Sequence, residues 1–501
     1  MTPDQLLIAS LALPLIALLF NYLFSLHANL RDGTTVIVAC LLFFVNTQLA
    51  AHVFDGQAVR WEGVEMMPGF RLAFSIEPLG MLFALVASGL WILTTVYAVG
   101  YMRSEQEANQ TRFFGCFAIA IFAATCAAFS KDLFTLFVAY ELMTISTYPL
   151  VTHHGTTEAR NGGRVYLGIL FSTSIGFLLL ALAWTYQIAG TLDFKLGGIL
   201  AEAHTAGRVS STQLIVLLGL YAFGIGKAAL MPMHRWLPVA MVAPTPVSAL
   251  LHAVAVVKVG VFFVLKVAVF VFGIDLLHQS QTSVLLCYAA GISLLLASIV
   301  AMTKDNLKSR LAYSTIGQLS YITLGAALAT PNSIIGGGMH VAMHAVGKIT
   351  LFFCAGAIYV ATHKKYVSEM KGLGRQMPFT FGAFLLASLC IIGLPPGGGA
   401  WSKWFLVTGT VERAVESGQS HFYFLTAALM ISSLLNIAYL IPIPMIAFMK
   451  SPEQEDDHPA TSCGEAPLAC VIPLCCTALI SVILFFAAGW IYDILLPITK
   501  S

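Results

Sequence analysis

Six charged residues lie inside stretches of sequence that are otherwise apolar enough to cross a bilayer. A charged group at membrane depth costs roughly 3 to more than 10 kcal/mol, so such groups persist where they line a hydrated path or pair with one another. The pattern predicts a pathway for charge across a membrane. The six are Glu141, Lys227, Lys258, Lys266, Lys348 and Lys403.

Glu141 has no basic residue within one helical turn, so its charged form requires a cation from another helix, and Lys227 is the candidate. Desolvation favours the neutral form of each group, whereas pairing favours the charged form. At an effective dielectric constant near 20, two unit charges ~4 Å apart interact by about 4 kcal/mol. A moving carboxylate would therefore switch the lysine between holding and releasing a proton. The alternative is a static ion pair that joins two helices.

Lys258 is also in the middle of an apolar stretch, six residues after His252. An isolated histidine in an apolar helix is more often a hydrogen-bonded core residue, so Lys258 is the stronger candidate proton carrier. Lys266 is nearer the outer end of the same stretch, and we expect its stem to extend to the membrane interface, outside the core path.

His340, His344 and Lys348 are spaced four residues apart, so they project from one face of a helix. Protonatable groups one turn apart suit a relay bridged by water. Metal binding by the two histidines is the alternative, but it lacks a third ligand of defined spacing, so we predict no metal site. Lys403 would close the series.

Several classes of cofactor have no matching motif. The sequence contains neither a Walker A motif nor a dinucleotide-binding glycine pattern, and no clear haem or iron–sulfur ligand set. We therefore predict no bound cofactor and no enzyme activity of the chain alone. Its driving force must be an ion gradient or a partner.

The composition is that of a polytopic membrane protein. Hydrophobic residues make up 58% of the 501 residues, charged residues 10%, and the mean hydropathy is +0.84. We predict an all-α fold with fourteen membrane-spanning helices, without nucleic-acid binding. The predicted spans are 4–26, 34–54, 76–100, 113–130, 133–152, 164–188, 212–233, 245–273, 282–303, 311–330, 333–361, 378–411, 421–449 and 467–497.

Loop charges predict the orientation. One set of loops carries fourteen basic residues and the other set seven, which places the first set in the cytoplasm and both termini outside. The first helix lacks the features of a cleaved signal peptide. We expect a bacterial cytoplasmic (inner) membrane, and an acidic cytoplasmic loop at 453–459.

Two predicted helices carry interruptions next to a lysine. Gly224 and Gly226 precede Lys227 in the seventh, and a run of glycines and prolines at 393–399 precedes Lys403 in the twelfth. Non-helical backbone at membrane depth is tolerated where it is buried in protein or lines a cavity. The two lysines are 176 residues apart, which suggests two similar bundles in inverted orientation.

Three motifs carry a family resemblance: LFVAYELMTISTY at 136–148, GKAALMPMHRWLPVAMVAPTPVSALLH at 226–252 and KSRLAYSTIGQLSY at 308–321. They resemble the antiporter-like membrane subunits of respiratory complex I, a family shared with Mrp-type sodium/proton antiporters and membrane-bound hydrogenases. The resemblance implies fourteen helices, with two inverted five-helix repeats and broken helices 7 and 12. It also implies a Glu141–Lys227 pair, a central series of Lys258, His344 and Lys348, and a path ending at Lys403.

The implied organisation has four parts: N-terminal helices 1–3 at 1–110, a first repeat at 111–273, a second repeat at 274–450, and the acidic loop with helix 14 at 451–501. We expect a proton-conducting subunit of a hetero-oligomeric membrane complex, resembling a NADH:quinone oxidoreductase or a hydrogenase. The alternatives are the D-like subunit of an Mrp-type sodium/proton antiporter, a subunit that energises a partner such as inorganic-carbon uptake, and a structural scaffold with static charge pairs.

Overall fold

Each of the fourteen predicted spans is occupied by helix in the computed structural model, which describes residues 2–67, 70–449 and 464–500. Eleven helices in this part of the chain are long and apolar enough to cross a membrane. In chain order the helices that occupy the spans are α1 Pro3–Leu23, α2 Ala28–Phe54, α3 Pro78–Ser104, α4 Gln110–Ala128, α5 Leu133–Val151, α6 Thr157–Ala189, α7 Ser211–Gly224, α8 Thr245–Phe272, α9 Val284–Thr303, α10 Leu307–Leu328, α11 Pro331–Thr362, α12 in two halves Pro378–Ile392 and Gly399–Ser417, α13 Ser420–Met449 and α14 Leu468–Phe486. The three that are not among the eleven are α7, α10 and α12. Shorter helices lie at Ala201–Thr205, Trp236–Val239, Ile274–Ser280 and Ala488–Leu495.

Local capping residues determine where several helices begin. The Ser210 hydroxyl accepts a hydrogen bond from the Gln213 amide at 3.3 Å, and the Gln213 side chain accepts one from the Ser210 amide at 2.9 Å. Asp132 caps α5 by accepting from the Thr135 amide at 2.7 Å, and Asn306 caps α10 in the same way. Each cap satisfies a backbone donor that has no partner within its own helix.

α8 and α11 form the centre of the bundle, where their apolar segments are buried along their whole length. The N-terminal helices α1 and α2 lie at the edge, with exposed apolar side chains such as Leu19 and Ile37. An apolar outer surface suits contact with lipid. The lysines and histidines of α8 and α11 therefore lie in the protein interior.

The connection between α2 and α3 contains a β-hairpin, which is a small addition to the all-α prediction. β1 Arg60–Met67 pairs in antiparallel fashion with β2 Phe70–Ser75, with Trp61 opposite Phe74. The hairpin joins the helical bundle because the Ser75 amide donates to the Phe129 carbonyl at 2.8 Å. The predicted acidic loop at 453–459 lies outside the described residues.

Candidate functional site

The chain interruption after α7 positions Lys227. α7 ends at Gly224, and Gly226–Ala228 form a single tight turn. Gly260 of α8 packs directly on this turn, because a Cβ at that position would lie 2.4 Å from the Lys227 carbonyl carbon. Only glycine allows so close an approach. The interruption thus packs against Gly260 of α8, and the Lys227 amide donates to the Tyr140 hydroxyl of α5 at 3.1 Å.

The Lys227 ammonium is buried against α5. Its Nζ donates to the Tyr140 carbonyl at 2.7 Å and to the Thr144 hydroxyl at 2.6 Å. It also lies 3.1 Å from the centroid of the Tyr140 ring, within cation–π distance. These contacts replace part of the hydration that the ammonium loses on burial.

Glu141 lies between the two α5 residues that contact Lys227, but its carboxylate forms no direct ion pair with that lysine in this structure. Both carboxylate oxygens are buried and lack hydrogen-bond partners among the described residues. The predicted partners therefore lie on neighbouring elements without touching.

A contact between Lys258 and His344 joins α8 to α11. Lys258 Nζ of α8 lies 2.5 Å from His344 Nδ1 of α11, and both side chains are fully buried. His344 in turn stacks on His340, with ring centroids 5.7 Å apart. The predicted common face of the two histidines is thereby confirmed.

His340 connects this contact to the second interrupted helix. Its Nδ1 lies 2.8 Å from the Ser402 hydroxyl, next to Lys403, and its Nε2 lies 3.0 Å from the Gln318 amide oxygen. Lys403 Nζ donates to the Ile392 carbonyl at 3.0 Å and to the Ser433 hydroxyl at 3.1 Å.

Glycine also makes room at this second interruption. Gly393 has a φ of +91°, and a Cβ there would lie 2.7 Å from Lys403 Cδ. A side chain at this position would be strained and would displace the lysine stem.

Lys348 is buried on the same helix as the two histidines but has different partners. Its Nζ donates to the Ser314 hydroxyl at 2.6 Å and to the Leu311 carbonyl at 3.3 Å, both on α10. The Tyr439 hydroxyl donates to Ser314 at 2.8 Å. His252 has no hydrogen-bond partner for either ring nitrogen among the described residues, and Lys348 acts on it electrostatically.

The prediction for Lys266 is wrong. Its ammonium does not extend out of the protein, because it is buried in an ion pair with Glu77 of the loop before α3. It also lies 3.3 Å from the Ser130 carbonyl and 4.1 Å from the centroid of the Phe194 ring. These partners hold the lysine inside the protein.

A cavity of about 1100 Å³ opens where α3 and α11 end and α6 and α10 begin, the side predicted to be cytoplasmic. Lys308 lies in its lining and donates to the Ala243 carbonyl at 2.6 Å. Glu107 lies at the same cavity, 3.5 Å from His154 and 3.6 Å from His153. Burial opposes ionisation of Glu107, but these imidazoles hold its pKa below the usual value.

Sequence reasoning missed the uncharged polar partners of the charged residues. They are hydroxyl and amide side chains in apolar helices, which are individually common in membrane proteins. One signal was available, because Ser314 and Gln318 are four residues apart and share a face of α10. Those missed are Tyr140, Thr144, Ser314, Gln318, Tyr321, Ser402 and Ser433.

Sequence comparisons match two families. The family described as NADH:quinone oxidoreductase/Mrp antiporter, TM matches residues 130–435, and the N-terminal family of complex I chain 5 matches 68–114. NADH-quinone oxidoreductase subunit N of Desulforudis audaxviator is 32% identical over 405 residues, covering 80% of this chain and 78% of the relative. Subunit L of Rickettsia conorii is 28% identical over 83% of this chain, and the match spans only 61% of that longer relative.

Solved structures share the fold. A chain of the Mrp complex from Dietzia superimposes with a TM-score of 0.82 at 20% identity, covering 98% of this chain and 97% of the other. A chain of a membrane-bound sulfane sulfur reductase, an archaeal respiratory complex, superimposes with a TM-score of 0.82 at 24% identity, covering 98% and 96%. The arrangement of broken helices around α8 and α11 is therefore one that solved membrane complexes contain.

Proposed function

Because the chain belongs to the NADH:quinone oxidoreductase/Mrp antiporter membrane family, we propose that it is a proton-conducting membrane subunit of a multisubunit complex. The observation that carries this proposal is the contact of 2.5 Å between Lys258 and His344. A buried amine and a buried imidazole at this distance can share one proton, and the two residues come from the two central helices, α8 and α11.

One glutamate, four lysines and one histidine have distinct roles in this proposal. Glu141 modulates the proton affinity of Lys227 through its field. Lys227 exchanges protons with Lys258 through water, and Lys258 passes a proton to His344 by their direct contact. Lys403 receives the proton beyond His344, and Lys348 modulates the His344 imidazole by its charge.

We assign the cavity beside Lys308 as the hydrated mouth on the cytoplasmic side. This assignment rests on the excess of basic residues in the loops of that side and on the polar lining of the cavity. With this orientation both termini would lie outside. We propose a bacterial inner membrane as the location. The four-part division at 110, 273 and 450 is part of the proposal, because each repeat would contain one interrupted helix with its lysine.

The partners are other membrane subunits of a hetero-oligomeric complex. The relatives are named as subunits of NADH-quinone oxidoreductase, and the similar structures are complexes of several chains. The chain would then supply the proton path, while another subunit would supply the driving reaction.

The test uses the complex purified through an affinity tag on this chain and reconstituted into liposomes. A potassium diffusion potential drives protons, and a trapped pH-sensitive dye reports their flux. Lys227→Met and Lys258→Met should lower the flux at least about tenfold, since losing a carrier leaves a desolvated gap that raises the barrier by several kcal/mol. Lys195→Met is the matched control, because Lys195 is exposed and pairs with Glu202.

Normal flux in both path variants would refute the proposal. A second series with and without sodium separates the sodium/proton antiporter, whose flux would require sodium, from a proton path alone. The subunits that co-purify in mild detergent identify the driving reaction.

A further inference from the structure

His340 is held between two polar groups from different helices. Ser402 of α12 lies 2.8 Å from its Nδ1, and Gln318 of α10 lies 3.0 Å from its Nε2. Ser402 also donates to the Gly399 carbonyl at 3.1 Å. The Gln318 side-chain nitrogen is buried and has no partner among the described residues. Only the amide oxygen of Gln318 therefore engages the ring.

A count of hydrogens shows that these partners fit the ring both before and after it gains a proton. A neutral imidazole has one donor and one acceptor, whereas an imidazolium has two donors. Gln318 presents an acceptor to Nε2, and Ser402 presents an acceptor to Nδ1 when its hydrogen goes to the Gly399 carbonyl. The neutral ring can donate from Nε2 to Gln318 and accept the Ser402 hydrogen at Nδ1, and the imidazolium can donate to both residues once the Ser402 hydrogen turns to the Gly399 carbonyl. Both ring nitrogens therefore keep a partner when the ring gains a proton.

Neighbouring charges limit when the ring can be charged. Lys258 and Lys403 both act on His340 electrostatically, and like charges disfavour each other. The ring can therefore hold a proton after Lys258 has released it and before Lys403 has received one. The groups that face His340 are Lys258 from α8, Gln318 and Tyr321 from α10, His344 from α11, and Ser402 and Lys403 from α12.

We infer that Gln318 is a positioning residue of the proton path. Its amide oxygen holds the His340 ring so that the imidazolium form is hydrogen-bonded at both nitrogens. His340 then binds the proton transiently, after it leaves His344 and before it reaches Lys403. This inference rests on the proposed function. No bond other than those to the moving proton is made or broken, and the proton leaves toward Ser402 and Lys403.

Two variants of similar length separate this role from packing. Gln318→Glu keeps an acceptor for Nε2 and adds a negative charge, whereas Gln318→Met keeps the volume but removes the acceptor. Thr315→Val on the same helix is the control, because the Thr315 hydroxyl donates only to its own helix, at Leu311. The measurement is proton flux against pH in the reconstituted complex, with Lys227→Met measured in parallel.

In Gln318→Met we expect the flux to fall about tenfold. The alkaline limb of the profile, where the flux declines as the pH rises, should move about one to two pH units lower, because the imidazolium has lost an acceptor. In Gln318→Glu the limb should move higher, with the flux within about threefold of the parent value. Equal profiles for Met, Glu and the parent would overturn the inference. If Lys227→Met also left the flux unchanged, the proposed function itself would fail. Should the Met variant not assemble, the upward shift in Gln318→Glu still decides, and its absence overturns the inference.

Discussion

Removing either partner of the buried Glu77–Lys266 pair should destabilise the protein, and by unequal amounts. The Lys266 side chain is 1% exposed and that of Glu77 is 19% exposed. Glu77→Gln leaves an ammonium with no access to water, whereas Lys266→Met leaves a carboxylate that water can reach. The glutamate substitution should therefore be the more destabilising of the two.

The magnitudes follow from these exposures. An unpaired buried charge costs about 3–5 kcal/mol, and the aromatic rings 4.1 and 5.0 Å from the ammonium offset about 1–2 kcal/mol of this. We expect a loss of about 2–4 kcal/mol for Glu77→Gln. For Lys266→Met we expect about 1–2 kcal/mol, because the remaining carboxylate is partly hydrated. The double variant should be less destabilised than the sum of both.

The assay is unfolding of the full chain in mixed detergent micelles, followed by circular dichroism, as a double-mutant cycle. The control is Lys131→Met, which removes a solvent-accessible lysine 3.5 Å from Asp193 and 3.7 Å from Glu62. It should cost less than about 1 kcal/mol. A greater loss for Lys266→Met than for Glu77→Gln, or additive effects in the double variant, would refute the reasoning.

Two further predictions concern the loop before α5 and the interruption after α7. Burial raises the pKa of Asp132 to about 6 from its ordinary value of 3.8, so the stability that this group contributes is present below the lower value and is lost as the pH rises through 6. Asp132→Asn keeps an oxygen for the Thr135 amide. As the pH rises from about 3.5 to 8, the free energy of unfolding of this variant should increase by about 3 kcal/mol relative to that of the parent. Stability curves of the two proteins that run parallel over this pH range would contradict this. Gly260→Ala should displace Lys227 and lower proton flux severalfold, while Gly219→Ala, where a Cβ meets open space, should not. Equal flux in the two glycine variants would argue against this account of the interruption.

The helices and the ionisable residues were predictable from the sequence because they depend on local patterns. Apolar stretches of sufficient length predict spans, and an isolated lysine beside a glycine-rich break is visible without any tertiary information. The common face of His340 and His344 follows from helical periodicity alone. These features needed only residues that are close in the chain.

The partners were not predictable, because they come from distant parts of the chain. Hydropathy places Lys266 near the end of a span, but it cannot show that Glu77 and Phe194 enclose the ammonium there. The same limit applies to Lys227, which contacts Tyr140 and Thr144 on either side of the expected Glu141. The direction of the Lys227 side chain depends on how Gly260 of α8 packs against the interruption. That contact joins residues that are distant in the chain, so the sequence does not show it.

The burial of α11 from Ser333 to Ile358 has a consequence for biogenesis. This 32-residue helix carries His340, His344 and Lys348 and packs on α10, both halves of α12, α14 and α3. During synthesis it emerges before α12 and α14, so its ionisable groups meet the insertion machinery or lipid without their final neighbours, at a cost of several kcal/mol. Stable integration of α11 must therefore wait for the C-terminal helices. A chain truncated after residue 377 should be degraded even though it already contains the full sequence of every helix from α1 to α11.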